Sequence, residues 1–316
     1  MPNYSEIVSG TDYQRMMSEE HIYISDADNI ISSTLQRLIK LHDDQGVNII
    51  DLGCGPGRTV CYTPKTGHFK LLAVDKDLKY LTYTEQELMK SMDMSNESIA
   101  LIHGDITTPD FNKQIIEQGY KDAYPVCVSQ GVHHHIEKGK PLTQYLINVK
   151  NLITNGGVYI LSDEFLAHYN NESERQITAV LWYCHVIAKA QKDKYVDLAR
   201  GEAETLLDDL HAEEGGFKNE EMVNLVLSKA QEINEAASTI FATKLARSRA
   251  FQLISQLRAI IPTTSEIATD MSRGDYKICH AVFQKEVEAV GLQIIGIKTI
   301  GPIESLGGMV IYTLSA

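Results

Sequence analysis

The residues with the clearest chemical meaning form a short glycine-rich segment that begins with an acid. Asp51 stands near the end of the apolar run 47–52, and glycines follow it at alternating positions. Glycine allows a tight turn and a close approach of ligand to backbone, and a carboxylate in front of it suits a ligand with an ammonium group. No phosphate-binding Gly-Lys-Ser/Thr follows, and the spacing is not Gly-x-Gly-x-x-Gly, which disfavours an NAD-dependent oxidoreductase. The candidate ligand-binding residues here are Asp51, Gly53, Cys54, Gly55 and Gly57.

Acids also follow the second and third predicted strands. Asp75 ends the second apolar run, 24 residues after Asp51, where it could bind both hydroxyls of a ribose. We include the neighbouring Lys76 among the binding candidates. After the third run, Asp105 could accept a hydrogen bond from the amino group of adenine, and Ile106 could pack on its ring. These residues predict a nucleoside site at the carboxyl ends of the strands.

Groups that can move a proton or orient a substrate follow the fourth and fifth predicted strands. Three consecutive histidines occupy positions 133–135, but a metal site would need ligands that are spaced apart, so we expect no bound metal. One histidine could act as a base, because imidazole titrates near working pH, or all three could fix the loop. The acids after the fifth strand could orient a substrate amine or cap a helix. The catalytic candidates are His133, His134, Asp163, Glu164, Tyr169 and Tyr183.

The pattern of apolar residues predicts the elements that position these groups. Five short apolar runs alternate with helical patterns over 47–165, which is typical of a parallel sheet with helices on both faces. Strand signals then give way to helical stripes, the last over 240–261. The segment 181–187, with Tyr183, would be helix core or an aromatic wall over a cation. We predict a helical segment or lid over 1–45 (with Tyr4, Tyr13 and Tyr23), a sheet domain over 46–165 and 276–316, and a helical cap inserted at 166–275.

Composition narrows the class of partner. The 316 residues are 43% hydrophobic, enough for a sizeable core, and 42 acids against 29 bases give a formal net charge of −13. That charge disfavours electrostatic binding of nucleic acid or of an anionic membrane over an extended surface. We read no signal peptide and no membrane span, and the five cysteines include no Cys-x-x-Cys pair. We expect a cytoplasmic protein with a small-molecule partner, and a homodimer stays open.

Taken together, the motifs resemble those of the class I S-adenosylmethionine (SAM)-dependent methyltransferases. The similarity rests on Asp51 with its three glycines, on Asp75, on Gly104-Asp105, and on the loop that ends His134-His135-Ile136. It covers about 47–165 and the terminal strand pair. It implies an α/β fold with a doubly wound, seven-stranded sheet of order 3-2-1-4-5-7-6, strand 7 antiparallel, and here an all-helical cap insertion.

The resemblance also implies a role for each matching residue. Gly53, Gly55 and Gly57 would line the methionine part of SAM, Asp51 would hold its α-amino group, Asp75 its ribose, Asp105 and Ile106 its adenine, and Ser129 and Gln130 would lie below the sulfonium. Many family members that act on amides carry Asn/Asp-Pro-Pro-Tyr at the fourth strand. Residues 129–132 are Ser-Gln-Gly-Val, which disfavours N-methylation of nucleic-acid bases and of glutamine.

The leading hypothesis is methyl transfer from SAM to a small-molecule metabolite in a pocket closed by the helical cap, with S-adenosylhomocysteine as product. Because SAM is already activated, the protein mainly has to align the reactants and control protonation. One alternative is a cyclase in which SAM's own amine attacks its methionine Cγ, giving azetidine-2-carboxylate and methylthioadenosine. A second alternative is a SAM-binding regulatory protein without turnover. The sequence does not choose the acceptor or the attacking atom.

Overall fold

The computed structural model divides the chain into two compact units. The described residues are 9–15, 21–41, 46–62, 69–91, 98–120, 124–209, 220–238, 252, 256, 276–303 and 306–316. The first unit comprises residues 1–163, 282–300 and 309–316, and the second comprises 164–281 and 301–308. Tyr4 and the apolar residues of the stripe predicted over 240–261 lie outside the described residues. The predicted domain boundaries, and the roles of lid and cap, stay predictions.

The first unit is built on a seven-stranded sheet in the order β3-β2-β1-β4-β5-β7-β6. The strands are β1 (Val47–Leu52), β2 (Phe69–Asp75), β3 (Ile99–His103), β4 (Tyr124–Gln130), β5 (Ile153–Leu166), β6 (Gln293–Ile300) and β7 (Gly307–Ser315). β1 pairs in parallel with β2 and β4, as do β2 with β3 and β4 with β5, whereas β6 and β7 are antiparallel. The predicted strand order and the antiparallel last strand are confirmed.

Helices follow most of these strands. In the described part of the chain, the α-helices of five or more residues are α1 (Gly10–Arg15), α2 (Ile22–Leu41), α3 (Arg58–Tyr62), α4 (Leu78–Tyr83), α5 (Phe111–Glu117), α6 (Lys140–Leu152), α7 (Glu172–Lys192), α8 (Val196–Asp209), α9 (Glu220–Ser238) and α10 (His280–Ala289). A π-helical turn (Thr84–Leu88) and a short α-helical turn (Met89–Ser91) follow α4, and a 3-10 turn (His133–His135) follows β4. Side chains cap three of the α-helices in the described part of the chain. Ser9 accepts from the amide of Asp12 at 3.1 Å before α1, Asp77 from that of Lys79 at 3.0 Å before α4, and Asn171 from that of Glu174 at 3.0 Å before α7. Such caps satisfy amides that have no partner within the helix.

Helix α2 supplies one wall of the core of the first unit. Its buried residues recur every three or four positions, as expected of a helix with one apolar face. They are Ile24, Ala27, Ile31, Leu35 and Ile39. They pack with buried residues of β1, β2 and β4, and each large apolar side chain contributes about 1.5–3 kcal/mol on burial. Leu41 follows the same helical spacing, but it is 75% exposed at the end of the helix.

Strand β5 begins earlier than the sequence suggested. Residues 155–157, Asn-Gly-Gly, are typical of a turn before a strand, but they lie inside β5. Tyr124 of β4 pairs with Ile153, and Val126 pairs with Val158, so four residues of β5 lie opposite one residue of β4. The middle residue of the Asn-Gly-Gly segment has a φ of 78°. The same glycines that favour a turn therefore serve a bulge within the strand.

The described part of the second unit consists mainly of α7, α8 and α9. Helix α7 is buried over most of its surface, including the aromatic segment that contains Trp182 and Tyr183. A helix that is apolar on several sides is typical of the centre of a helical layer. An aromatic wall over a cationic ligand stays a prediction.

Candidate functional site

The glycine-rich loop joins β1 to α3, and its glycines at 53, 55 and 57 have φ values of 75°, 52° and 87°. Only glycine adopts this left-handed backbone without strain. A Cβ atom on Gly53 would lie 2.6 Å from Val132 Cγ2, and one on Gly57 would lie 2.7 Å from Leu88 Cδ2. A Cβ on Gly55 would meet no atom of the described residues within 4 Å. The loop is therefore tightly packed at both ends and open in the middle, where a ligand can approach the backbone.

Asp75, at the end of β2, holds this loop in place. Its Oδ2 accepts the amide of Gly55 at 2.7 Å, and its Oδ1 accepts the amide of Asp77 at 2.8 Å. Burial raises the pKa of Asp75, and the two amide hydrogen bonds offset part of that rise. Lys76 has an exposed side chain, and its carbonyl oxygen lies 2.9 Å from His103 Nε2. The sequence did not predict that Asp75 fixes the loop, and its contact with a ribose stays a prediction.

Asp51 is a buried carboxylate at the start of the loop. Neither of its oxygens has a hydrogen-bond partner within normal distance among the described residues. Burial raises the pKa of Asp51 to about 7; the nearby hydroxyl of Thr59 and the charge of Arg58 lower it, and the charge of Asp75 raises it. A desolvated carboxylate without a partner is energetically costly, and a cationic ligand removes that cost. Asp51 therefore marks a place for a positively charged group.

Gln130, at the end of β4, adds a second unsatisfied acceptor. Its Nε2 donates to Thr59 Oγ1 at 2.8 Å, which ties β4 to α3. Its buried Oε1 has no donor among the described residues. Because β1 and β4 are neighbouring parallel strands, Asp51 and Gln130 lie at the same edge of the sheet. Two acceptors without donors fit an ammonium or sulfonium group better than a phosphate.

The residues predicted for adenine lie in a turn after β3. Asp105 Oδ1 accepts the amide of Thr107 at 2.9 Å and its hydroxyl at 2.7 Å. Ile106 is buried, and its carbonyl accepts Asn148 Nδ2 at 3.0 Å. The sequence did not single out Asn148, which also donates to the carbonyl of Thr108 at 2.8 Å and so joins α6 to this turn. Adenine contacts of Asp105 and Ile106 stay predictions.

Ser129 belongs to a buried group of three hydroxyls that the sequence did not reveal. Its Oγ lies 2.6 Å from the hydroxyl of Tyr159 on β5, and it accepts from the hydroxyl of Tyr145 on α6 at 3.2 Å. The two phenol oxygens are 2.5 Å apart. Burial raises the pKa of both tyrosines. The three hydroxyls thus satisfy one another beneath the carboxyl end of β4.

His134 and Asp163 form a buried histidine–carboxylate pair. The Nδ1 atom of His134 makes a short hydrogen bond with Asp163 Oδ1, and the His134 amide donates to Asp163 Oδ2 at 3.3 Å. A Cβ on Gly131 would lie 4.0 Å from His134 Cε1, and the ring of the exposed His135 lies 3.9 Å from that of His134. Because Asp163 accepts from Nδ1, Nε2 would be the ring nitrogen that exchanges a proton with a ligand. The two predicted candidates thus form one hydrogen-bonded pair, and their catalytic role stays a prediction.

His133 points into a different part of the first unit. Its Nε2 lies 3.1 Å from Glu286 Oε2 on α10, and Lys138 Nζ donates to Glu286 Oε1 at 3.3 Å. The ring packs edge-on against Phe283, also on α10, with centroids 5.2 Å apart. Consecutive histidines thus bind carboxylates on separate elements, as expected for side chains that cannot share one cavity.

The helices α1 and α2 also contact the loop region, through Tyr13 and through other residues that the sequence did not single out. Arg58, which directly follows the third glycine, forms a buried ion pair with Asp28 of α2. The hydroxyl of Tyr13 on α1 interacts with the same guanidinium, and burial raises the pKa of Tyr13. Gln14 Nε2 donates to the carbonyl of Pro56 at 2.7 Å. The predicted contribution of Tyr13 to a lid thus has a geometric basis, although a lid function stays a prediction.

The other catalytic candidates belong to the second unit, where Glu164 and Tyr183 form a polar cluster with Lys277. Glu164 Oε2 lies 3.0 Å from Lys277 Nζ, and Lys277 donates to the hydroxyl of Tyr183 at 3.2 Å. The ammonium group also lies 4.6 Å from the centroid of the Tyr183 ring. Tyr169 is half-buried, and burial raises its pKa. Lys277 was missed, and a catalytic role for Glu164, Tyr169 and Tyr183 stays a prediction.

A metal-binding cluster and a membrane-spanning helix are both absent from the described residues. No group of three or more His, Cys, Asp or Glu side chains among them is placed to hold a metal ion. None of the helices in that part of the chain has the length and apolarity to cross a membrane.

Solved structures with a similar fold include three proteins of related description. Over 99% of its length the chain is similar to the CurJ carbon methyltransferase (TM-score 0.52, 13% identity), of which it spans 61%. It is similar over 90% of its length to PKMT2 from Rickettsia typhi in complex with AdoHcy (0.51, 13%), spanning 52% of that chain. It is similar over 99% to a SAM-dependent methyltransferase from Clostridium acetobutylicum (0.50, 12%), spanning 98%. No family model and no curated protein matches the chain. At these identities the similarity shows the fold alone, which is that of the class I SAM-dependent methyltransferases.

Proposed function

We propose that this protein binds SAM and transfers its methyl group to a small molecule. The observation that carries the proposal is the buried carboxylate of Asp51, which has no hydrogen bond among the described residues and stands beside a loop that is open at Gly55. SAM carries an ammonium group and a sulfonium, and either charge would compensate a desolvated carboxylate. The fold shared with SAM-dependent methyltransferases supports the same ligand independently.

The residues at the strand ends fit the successive parts of this ligand. Asp51 and Gln130 would hold the cationic methionine end, and the loop around Gly55 would pass along it. Asp75, at the end of β2, and Asp105, in the turn after β3, would face the ribose and the adenine. The remaining candidates of this site are Gly53, Cys54, Gly57, Lys76, Ile106 and Ser129. When bound, SAM supplies a methyl group on a positively charged sulfur, and S-adenosylhomocysteine remains after transfer.

The pair formed by His134 and Asp163 would serve as the general base. Asp163 fixes the orientation of the ring through Nδ1 and would stabilise the imidazolium that forms when Nε2 takes a proton. Such a base accelerates a reaction by about 100- to 10,000-fold when the nucleophile must lose a proton. A hydroxyl group or an activated carbon has this need, and a neutral amine does not. We therefore propose an oxygen or carbon acid as the acceptor.

The same geometry favours methyl transfer over the cyclisation of SAM. Cyclisation requires the α-amino group in its neutral form, because only the free amine can attack the methionine Cγ. A buried carboxylate such as Asp51 stabilises the ammonium form instead. A regulatory protein without turnover would have no use for a base oriented as His134 is.

The test is to incubate the purified protein with SAM alone and with SAM plus a fractionated small-molecule extract, and to identify products by mass spectrometry. We expect S-adenosylhomocysteine only when extract is present, with a methylated compound in the active fraction. The matched control is His134→Ala, which should still bind S-adenosylhomocysteine in a calorimeter but form little of it.

Three outcomes would contradict the proposal. Methylthioadenosine formed from SAM alone would indicate cyclisation or cleavage. Binding of SAM without either product, whatever the extract, would indicate a regulatory protein. A calorimetric titration that shows no binding of SAM or S-adenosylhomocysteine would remove the function altogether.

A further inference from the structure

Two adjacent histidines are each held by a carboxylate from a different element. His134 binds Asp163 on β5, and His133 binds Glu286 on α10. Both histidines lie in one short helical turn, in which the amide of His135 donates to the carbonyl of Val132 at 3.0 Å. A displacement of one histidine therefore carries the other with it.

The contact between His133 and Glu286 is a hydrogen bond from a neutral ring to an ionised carboxylate. Burial lowers the pKa of His133 and so favours its neutral form; Lys138 lowers it as well, whereas Glu286 and Asp163 raise it. Burial alone would raise the pKa of Glu286, but the hydrogen bond from His133 and the charge of Lys138 bring it below its ordinary value. The neutral ring at Nε2 is then the donor and Glu286 the acceptor, and Lys138 balances the charge.

We propose that Glu286 is a positioning residue that fixes the proton-accepting ring of His134 by holding His133. This inference rests on the proposed role of His134 as the base. His133 is buried between Phe283 and the carboxylate, so its side chain has one well-defined anchor on α10. Without that anchor, the turn loses the hydrogen bond that joins it to α10, and His134 can shift. A misplacement of about 1 Å can slow a reaction by roughly 100-fold.

Steady-state kinetics of three variants test this role. Glu286→Ala should lower kcat at least tenfold while KM for SAM changes less than twofold. Glu286→Gln should recover most of the activity, because its amide oxygen still accepts from His133. The matched control is Glu288→Ala, on the same helix, where an exposed carboxylate accepts the side-chain amide of Gln284 at 2.8 Å; it should behave as wild type.

A double-mutant cycle separates positioning from a general loss of stability. If Glu286 acts through His134, then Glu286→Ala should have no further effect on turnover in a His134→Ala background. Equal fold-losses in both backgrounds would overturn the proposal. Thermal unfolding of each variant shows whether the fold is retained at the assay temperature.

A measurement without turnover keeps this inference distinct from the proposed function. The Cε1–Hε1 NMR signals of the histidine rings can be assigned with His133→Gln and His134→Ala. In Glu286→Ala the signal of His134 should move and broaden, in Glu286→Gln it should stay near its wild-type position, and in Glu288→Ala it should not change. An unchanged His134 signal in Glu286→Ala overturns the positioning role, whether or not the protein transfers a methyl group.

Discussion

Replacing Asp51 by asparagine should stabilise the ligand-free protein and weaken its binding of SAM. Burial raises the pKa of this carboxyl from 3.8 to about 7, which means that the ionised form is less stable in the folded protein than in the unfolded chain. At about pH 8 the raised pKa lowers the free energy of unfolding by roughly 4 kcal/mol, since each pKa unit corresponds to about 1.4 kcal/mol. Asparagine has nearly the same shape and no charge, so it should recover much of this amount.

The stabilisation expected for Asp51→Asn depends on pH. A carboxyl with a raised pKa holds its proton longer in the folded than in the unfolded chain, so its cost grows as the pH rises from about 4 to about 7 and is constant above. The stabilisation by Asp51→Asn should therefore be about 4 kcal/mol at about pH 8 and only roughly 2 kcal/mol at about pH 5. Ligand binding should change in the opposite direction, because only the ionised carboxylate attracts the ammonium group of SAM.

The assay is urea unfolding of both proteins at the two pH values, followed by calorimetric titration with SAM at the higher one. The matched control is Asp110→Asn, an exposed acid of the same unit, which should change neither quantity. The reasoning would be refuted if Asp51→Asn were no more stable than wild type at the higher pH. Unchanged SAM affinity in a stabilised Asp51→Asn would leave the burial argument intact but refute the placement of the ammonium group.

Three further predictions concern the loop and the base. Asp75→Ala removes the acceptor of the Gly55 amide and should weaken SAM binding by about 1.5–3 kcal/mol, measured by calorimetry; unchanged affinity would show that the loop holds its form without this bond. Gly53→Ala places a Cβ at positive φ and 2.6 Å from Val132, so its melting temperature should fall and SAM binding should be lost, and a wild-type melting curve would contradict that packing. His134→Ala should leave SAM affinity unchanged and lower turnover by about 100- to 10,000-fold, and full activity would return the histidines to a role in fixing the loop.

The strands, and the edge of the sheet where the candidate site lies, could be predicted because the patterns that indicate them lie in short sequence segments. Near-continuous apolar runs such as 47–52 identify buried parallel strands, and acids at their carboxyl ends meet at one edge of the sheet. Asp51 and Asp75 became candidates in this way, whereas Gln130 became one through the resemblance to the methyltransferase family. The bulge in β5 was not, because the Asn-Gly-Gly at 155–157 has the same chemistry in a turn as in a bulge.

The partners of the site residues could not be predicted, because they are distant in sequence. Glu286 is 153 residues from His133, and Asp28 is 30 residues from Arg58. On its own helix each of these acids resembles any surface carboxylate, and only the packing of α10 and α2 against the sheet brings it to its partner. Spacing identified His134 and Asp163 separately, but not that they form one hydrogen-bonded pair.

The hydroxyls of Ser129, Tyr145 and Tyr159 form a closed circuit in which each oxygen can give one proton and take one. Removing one hydroxyl, as in Tyr159→Phe, leaves each of the other two buried hydroxyls short of one hydrogen-bond partner. Replacing all three hydroxyls with apolar groups leaves no unsatisfied hydroxyl. Homologous proteins should therefore keep or lose the three hydroxyls together. Proteins with apolar side chains at all three positions should be more common than proteins that retain only one or two of the hydroxyls.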